Sequence, residues 1–187
     1  MRSRLVVLGA LPLLLLAACD DKPGEEPAAA APPPVAEPVQ LPASAAGGAC
    51  ALWDYGVIEE NIGVQFTVAA ADQVDATSTC VVQTVDAPYP DLTLSVVKST
   101  AATADQFLDD LMPAKGIRLK GLGQAAYLLK APAAGVHGPA TEIGWLSKAK
   151  QLRTLRFTFP RNAESTAVTA MNKDLFTLAK AMDSTKP

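Results

Sequence analysis

The sequence predicts an α+β domain: a twisted, largely antiparallel sheet packed by helices. Three observations carry that expectation. Apolar and polar residues alternate with period two in two separate groups, one within residues 64–97 and one within 124–159. Each group is broken by turn signals at hairpin spacing. The clearest helical stripe comes last, from about Ala163 to Met182, and is set apart from both strand groups. Strands in runs with helices segregated from them argue for antiparallel pairing.

The chain opens on Arg2 and Arg4, followed by Leu5 to Leu16, an uncharged apolar run of 12 residues interrupted by Pro12. A bilayer-spanning helix needs about 20 apolar residues. The run has instead the layout of a cleaved export signal over residues 1–18. It ends in Leu16-Ala17-Ala18-Cys19, which resembles the lipobox of bacterial lipoproteins. The resemblance implies that the Cys19 thiol is acylated and that Cys19 heads the mature chain. A thiolate is the side-chain nucleophile suited to that transfer, and two or more acyl chains, at about 0.8 kcal/mol per buried methylene, anchor stably. The chain is then expected at the extracytoplasmic face of the cell membrane. Asp20 and Asp21 resemble the signal that keeps such proteins in the inner membrane of a two-membrane host. An ordinary signal peptide with a chance cysteine, or an uncleaved anchor, are the alternatives.

Residues 19–49 read as a tether. Seven prolines lie between Pro23 and Pro42, among alanines and a few acids. Proline denies the backbone regular hydrogen bonding, and this composition cannot bury a core. A disordered spacer is expected, extended at about 3 Å per residue where prolines crowd. A ligand for a proline-reading domain is the sharper alternative.

Residues 50–187 suit one α+β globular domain. Asp54 caps a helix from Tyr55 to Ile62, with Gly63 as its stop. Val64, Phe66 and Val68 alternate with polar residues as a first strand, and residues 72–78 form a polar turn. Cys80 to Val85 is a second strand, broken by Asp86-Ala-Pro-Tyr-Pro-Asp91; Leu92 to Val97 is a third, pairing with the second as a hairpin. Thr103 and Gln106 make a capping box for a helix with Phe107, Leu108 and Leu111 on one face, ended by Pro113. Gln124 to Lys130 is a strand. Glu142 to Ser147 and Gln151 to Phe159 form a second hairpin about Lys148-Ala149-Lys150. Leu155, Phe157 and Phe159 face one side of it, and Thr154, Arg156 and Thr158 the other. Asn162 caps the final helix, whose stripe is Val168, Met171, Leu175, Leu178 and Met182.

Cys50 and Cys80 remain once Cys19 is committed to lipid. An exported domain meets an oxidising compartment, so a disulfide is the default and free thiols the alternative. The loop closed would be worth about 3 kcal/mol in the chain-entropy model. The two cysteines, Leu52-Trp53 with its short helix, the phrase Gly121-Leu122-Gly123-Gln124-Ala125-Ala126-Tyr127, the hairpin and the final helix together resemble lipoprotein domains of actinobacteria designated DUF3558 and DUF2020. The resemblance implies a fold similar to the Mog1/PsbP type. It carries no catalytic residues.

Chemistry is sparse. The Gly121-to-Ala126 phrase matches a dinucleotide fingerprint, but that mechanism needs a helix after the glycines, and a strand pattern follows. The single histidine, His137, lies in a Gly/Pro-rich loop, which argues against a metal site, and no cofactor is implied. Glu59-Glu60 and Asp109-Asp110 are adjacent and so diverge on a helix. No serine sits in a nucleophile phrase. These points favour a non-enzymatic protein, with a hydrolase as the alternative, which would need a serine or carboxylate next to a base in a cleft. Trp53, Tyr55, Tyr89, Tyr127 and Trp145 are read as packing residues, or as lining for a cleft between helix and sheet that takes an apolar ligand or lipid.

Charge is divided along the chain. Residues 50–110 hold ten acids and one base, whereas residues 111–187 hold four acids and twelve bases. Lys148, Lys150, Arg153, Arg156 and Arg161 would cluster about one hairpin as a partner-binding patch for an envelope protein or an anionic surface, or serve as solvated surface charge. Nucleic acid is not a partner expected outside the membrane.

Overall fold

The computed structural model describes residues 39–98 and 100–184. The expected signal peptide, Cys19 and most of the expected tether lie outside the described residues. The domain is α+β. Seven strands, β1 (Val68–Val74), β2 (Thr77–Thr84), β3 (Ala87–Val97), β4 (Ile117–Leu119), β5 (Ala125–Ala131), β6 (Ala140–Leu146) and β7 (Leu152–Thr158), form one antiparallel sheet in the order β1-β2-β3-β7-β6-β5-β4. Two meanders thus meet at the β3–β7 seam. Helix α1 (Tyr55–Ile62) and helix α3 (Ser165–Ser184) cover one face of the sheet, joined there by two 3-10 turns, Ala43–Ala46 and Gly48–Leu52.

Local chemistry accounts for the element ends. Asp54 accepts from the backbone N–H groups of Gly56 and Val57 at 2.8 and 3.3 Å, and Gly63 ends α1 in the left-handed region. The Thr103–Gln106 capping box is formed and opens a short helix, α2 (Ala104–Gln106), that widens into a π-type turn over Phe107–Leu111.

Several boundaries differ from the sequence expectation. The first strand starts at Val68, not Val64, and runs through Asp72. Phe66 is fully buried in extended chain before it. The turn expected over residues 72–78 shrinks to Asp75-Ala76, because Asp75 takes a positive φ and closes a two-residue hairpin. The prolines at 88 and 90 lie within β3 rather than breaking it. They occupy its first residues, ahead of Asp91, where pairing with β7 begins, so the missing donors cost no ladder bond on that side. Helix α3 starts at Ser165 rather than beside Asn162, since the Ala163 N–H first closes a turn onto the Pro160 carbonyl. Strand β4 has only three residues and carried no alternating signal.

The core lies between the helices and the sheet. Val82, Leu92, Leu94, Ile143, Trp145, Leu155 and Phe157 rise from alternate strand positions to meet Met171, Leu175, Leu178 and Met182. Cys50 and Cys80 form a disulfide with their Cα atoms 5.0 Å apart, stapling the second 3-10 turn to β2.

Candidate functional site

The two faces of the sheet are covered unequally. Among the described residues, only one corner opposite α3 is roofed: Phe107 stacks on Tyr127 with ring centroids 5.8 Å apart, over Ala125 and Leu146. The remainder of that face is half-exposed, with hydroxyls and charged groups set among Val74, Val81 and Val97. Register aligns Thr79, Ser95, Thr154, Gly144 and Tyr127 in one row across the strands. The next row holds Thr93, Arg156 and Glu142, and the one beyond it Gln83, Asp91 and Thr158. Period two puts hydroxyls here for the same reason that it puts leucines on the other face.

A three-residue network organises this surface. Gly144 leaves the space that the Tyr127 ring fills; a Cβ at position 144 would collide with that ring. The ring therefore crosses β6, and its hydroxyl donates to Glu142 Oε1 at 2.9 Å. Arg156 Nη1 donates to Glu142 Oε2 at 3.1 Å. Burial, reinforced by the Glu142 charge, pushes the Tyr127 phenol well above its ordinary range. The phenol stays protonated and both Glu142 oxygens are engaged. The trio therefore holds Arg156 in place rather than presenting a base or a nucleophile. The Arg156 side chain is 40% exposed, and its guanidinium is offered near the middle of this face, with Asp72 and Arg118 at its two edges.

Asp91 lies one row further along. Burial raises its carboxyl pKa, against hydrogen bonds from Thr158 and Thr93 and the charges of Arg156 and His137. His137, from the loop between β5 and β6, meets the Tyr89 hydroxyl through Nδ1, with the two rings edge-to-face at 5.4 Å.

The five cations expected to cluster do not share a surface. Arg153 is a correction: it is 4% exposed and sits on the helix-covered face. Its Nη1 donates to the Met182 carbonyl at 2.9 Å, and its Nε and Nη2 donate to Gln151 Oε1. Arg153 and Arg156 are three residues apart on one strand, so they must point to opposite faces. Lys150 turns inward, donating to the Ala102 carbonyl at 3.1 Å. Lys148 and Arg161 are exposed but flank opposite ends of β7, whose seven residues span about 20 Å. Only Arg156 belongs to the open face.

Gly121 and Gly123 take positive φ in the turn that leads into strand β5, so no helix follows them to cradle a phosphate. Trp53 and Trp145 are buried, Trp145 donating to Asp183 at 3.1 Å. Among the described residues no group of three or more His, Cys, Asp or Glu is placed to hold a metal ion. No helix among them is long and apolar enough to cross a membrane.

The Glu142–Arg156 pair was open to sequence reasoning. A turn centred on Ala149 makes positions 142 and 156 cross-strand neighbours, and opposite charges there are expected to pair. Tyr127 was not open to it, because its reach depends on an empty position on the neighbouring strand. The chain matches no family model, no curated protein and no solved structure.

Proposed function

We propose that this chain is a lipid-anchored, non-enzymatic binding module at the extracytoplasmic face of the cell membrane, engaging a protein partner through the open face of its sheet. The anchor rests on Leu16-Ala17-Ala18-Cys19 at the end of the apolar leader. The observation that carries the binding surface is the Tyr127–Glu142–Arg156 network, which presents a pre-oriented guanidinium among threonine and serine hydroxyls. Arg fixed by a carboxylate costs little further ordering on binding and suits carboxylate-bearing partners. The apolar space between α3 and the sheet is taken up by Trp145, Phe157, Leu175 and Leu178, which supports a surface contact over carriage of an apolar ligand there.

The test uses the full chain in its own membranes. A photo-crosslinking side chain at Thr154 is expected to capture one defined envelope protein, and Arg156→Glu is expected to abolish the adduct. The same label at Glu60, on α1, serves as background. Equal labelling from the two positions would remove the binding proposal. Cys19→Ser should release the protein from the membrane fraction; a variant that still carries lipid would remove the anchor.

A further inference from the structure

We propose that β1 is a dimerisation edge: two copies of this chain pair their β1 strands antiparallel about Ala71, fusing two seven-stranded sheets into one. The two sheet edges are built differently. β4 is three residues long and is set among Pro113, Lys115, Arg118 and Lys120, the usual devices that blunt an edge. β1 is seven residues long, Val-Ala-Ala-Ala-Asp-Gln-Val, with no proline or lysine and one acid. Six of its residues are exposed, and among the described residues no strand pairs with its outer side.

The unpaired backbone groups define the register. Val74 and Thr77 close a two-residue turn, which makes them a hydrogen-bonded pair. By alternation Val68, Ala70, Asp72 and Val74 bond to β2, and Ala69, Ala71 and Gln73 point their N–H and C=O groups outward. The Gln73 N–H confirms the parity: it bonds at 2.8 Å to the exposed Asp72 side chain instead of to β2, a contact that pairing with the Ala69 carbonyl of the second copy would replace. A two-fold axis at Ala71 pairs outward groups with outward groups, Ala71 with its own copy and Ala69 with Gln73 of the second copy.

The side chains match in the same register. Val68 and Val74 are 43% and 62% exposed, and the axis sets each against the other's copy. Alanines fill the centre. Asp72 faces Ala70 of the second copy, and the two aspartates lie on the diagonal, about 7–8 Å apart, rather than opposite one another. Val39 and Leu41 add exposed apolar surface beside the edge, held there by Gln40, whose Nε2 donates to the Phe66 carbonyl at 3.3 Å. Antiparallel pairing of one edge with itself is closed, so it ends at a dimer. Its axis is normal to the sheet, which leaves both helix layers on one side and both open polar faces on the other.

Disulfide trapping in membranes tests the register. Val68 and Val74 of the second copy would be a non-hydrogen-bonded pair with Cα atoms about 4.5 Å apart, within disulfide range. Like residues would be about 20 Å apart. Cells expressing full-length Val68→Cys together with Val74→Cys are expected to yield a linked dimer, and either variant alone is not. Ala71→Pro in both chains should abolish the link, since it removes an outward donor and spares the β1–β2 ladder. The unsubstituted chain in detergent is expected to sediment as a dimer and Ala71→Pro as a monomer. No link in the mixed cells, an equal link in single-variant cells, or linkage to a different protein would each overturn the proposal.

Discussion

At the scale of single residues, partial burial sets the protonation of Asp91. Asp91 is half-buried, and burial raises its carboxyl pKa in the folded state despite the nearby Arg156 charge. A raised carboxyl pKa means that the folded state binds the proton more tightly than the unfolded chain. Ionised Asp91 therefore works against folding above its folded-state pKa. That penalty fades as pH falls through the folded-state value and is gone below the unfolded one. Asp91→Asn is expected to raise the urea midpoint at neutral pH, with the gain over the parent shrinking in acid. A gain that grew toward low pH would show the carboxylate to be stabilising. Gly144 shows the same economy by omission, because the absence of a Cβ there is what lets Tyr127 reach Glu142.

Between elements, the β6–β7 hairpin serves both faces at once. Its alternation sends Arg156 to the open surface and Arg153 beneath the end of α3. The last carbonyls of a helix have no partner within it, and Arg153 supplies one to Met182 while Asp183 stands near enough to oppose part of its desolvation. Arg153→Ala is expected to destabilise the domain by about 2–3 kcal/mol, through the orphaned carbonyl and the lost packing. Lys148→Ala, in the exposed turn of the same hairpin, is expected to stay within about 0.5 kcal/mol. Equal midpoints for the two variants in chemical denaturation would contradict the buried placement. Sequence alternation already assigned Leu155 and Phe157 to one side and Arg156 to the other. The same parity places Arg153 on the side of Leu155 and Phe157, so its burial is legible in the alternation, and a patch that joins it to Arg156 conflicts with that alternation.

For the molecule as a whole, the order of strands turns a chain-wise charge division into a spatial one. The acidic stretch builds β1 to β3 and the basic stretch builds β4 to β7, so the two signs meet along the β3–β7 seam, where Asp91 and Arg156 lie in adjacent rows. One exposed ion pair, Asp109–Arg118, also spans the halves, but at its degree of exposure such a pair contributes little. The Cys50–Cys80 disulfide ties a turn ahead of the sheet to β2 across a separation of 30 residues. Replacing both cysteines by serine is expected to cost about 3 kcal/mol, read as a lowered urea midpoint without loss of the α3 helical signal. An unchanged midpoint would mean that the bridge adds nothing to an already fixed turn.

The sequence by itself determined the α+β class, the β2–β3 and β6–β7 hairpins, the α1 caps, the capping box and the apolar stripe of α3. Each of these depends on residues within a few positions of one another, where periodicity and side-chain caps act directly on the backbone. Tertiary structure alone decided that β3 seats two prolines at its unshared end, that β4 exists, that α2 roofs one corner of the sheet, and that Tyr127 crosses an empty position to reach Glu142. These features depend on which strands become neighbours and which face is covered. Contacts between residues distant in the chain settle both, and a local pattern carries no record of them.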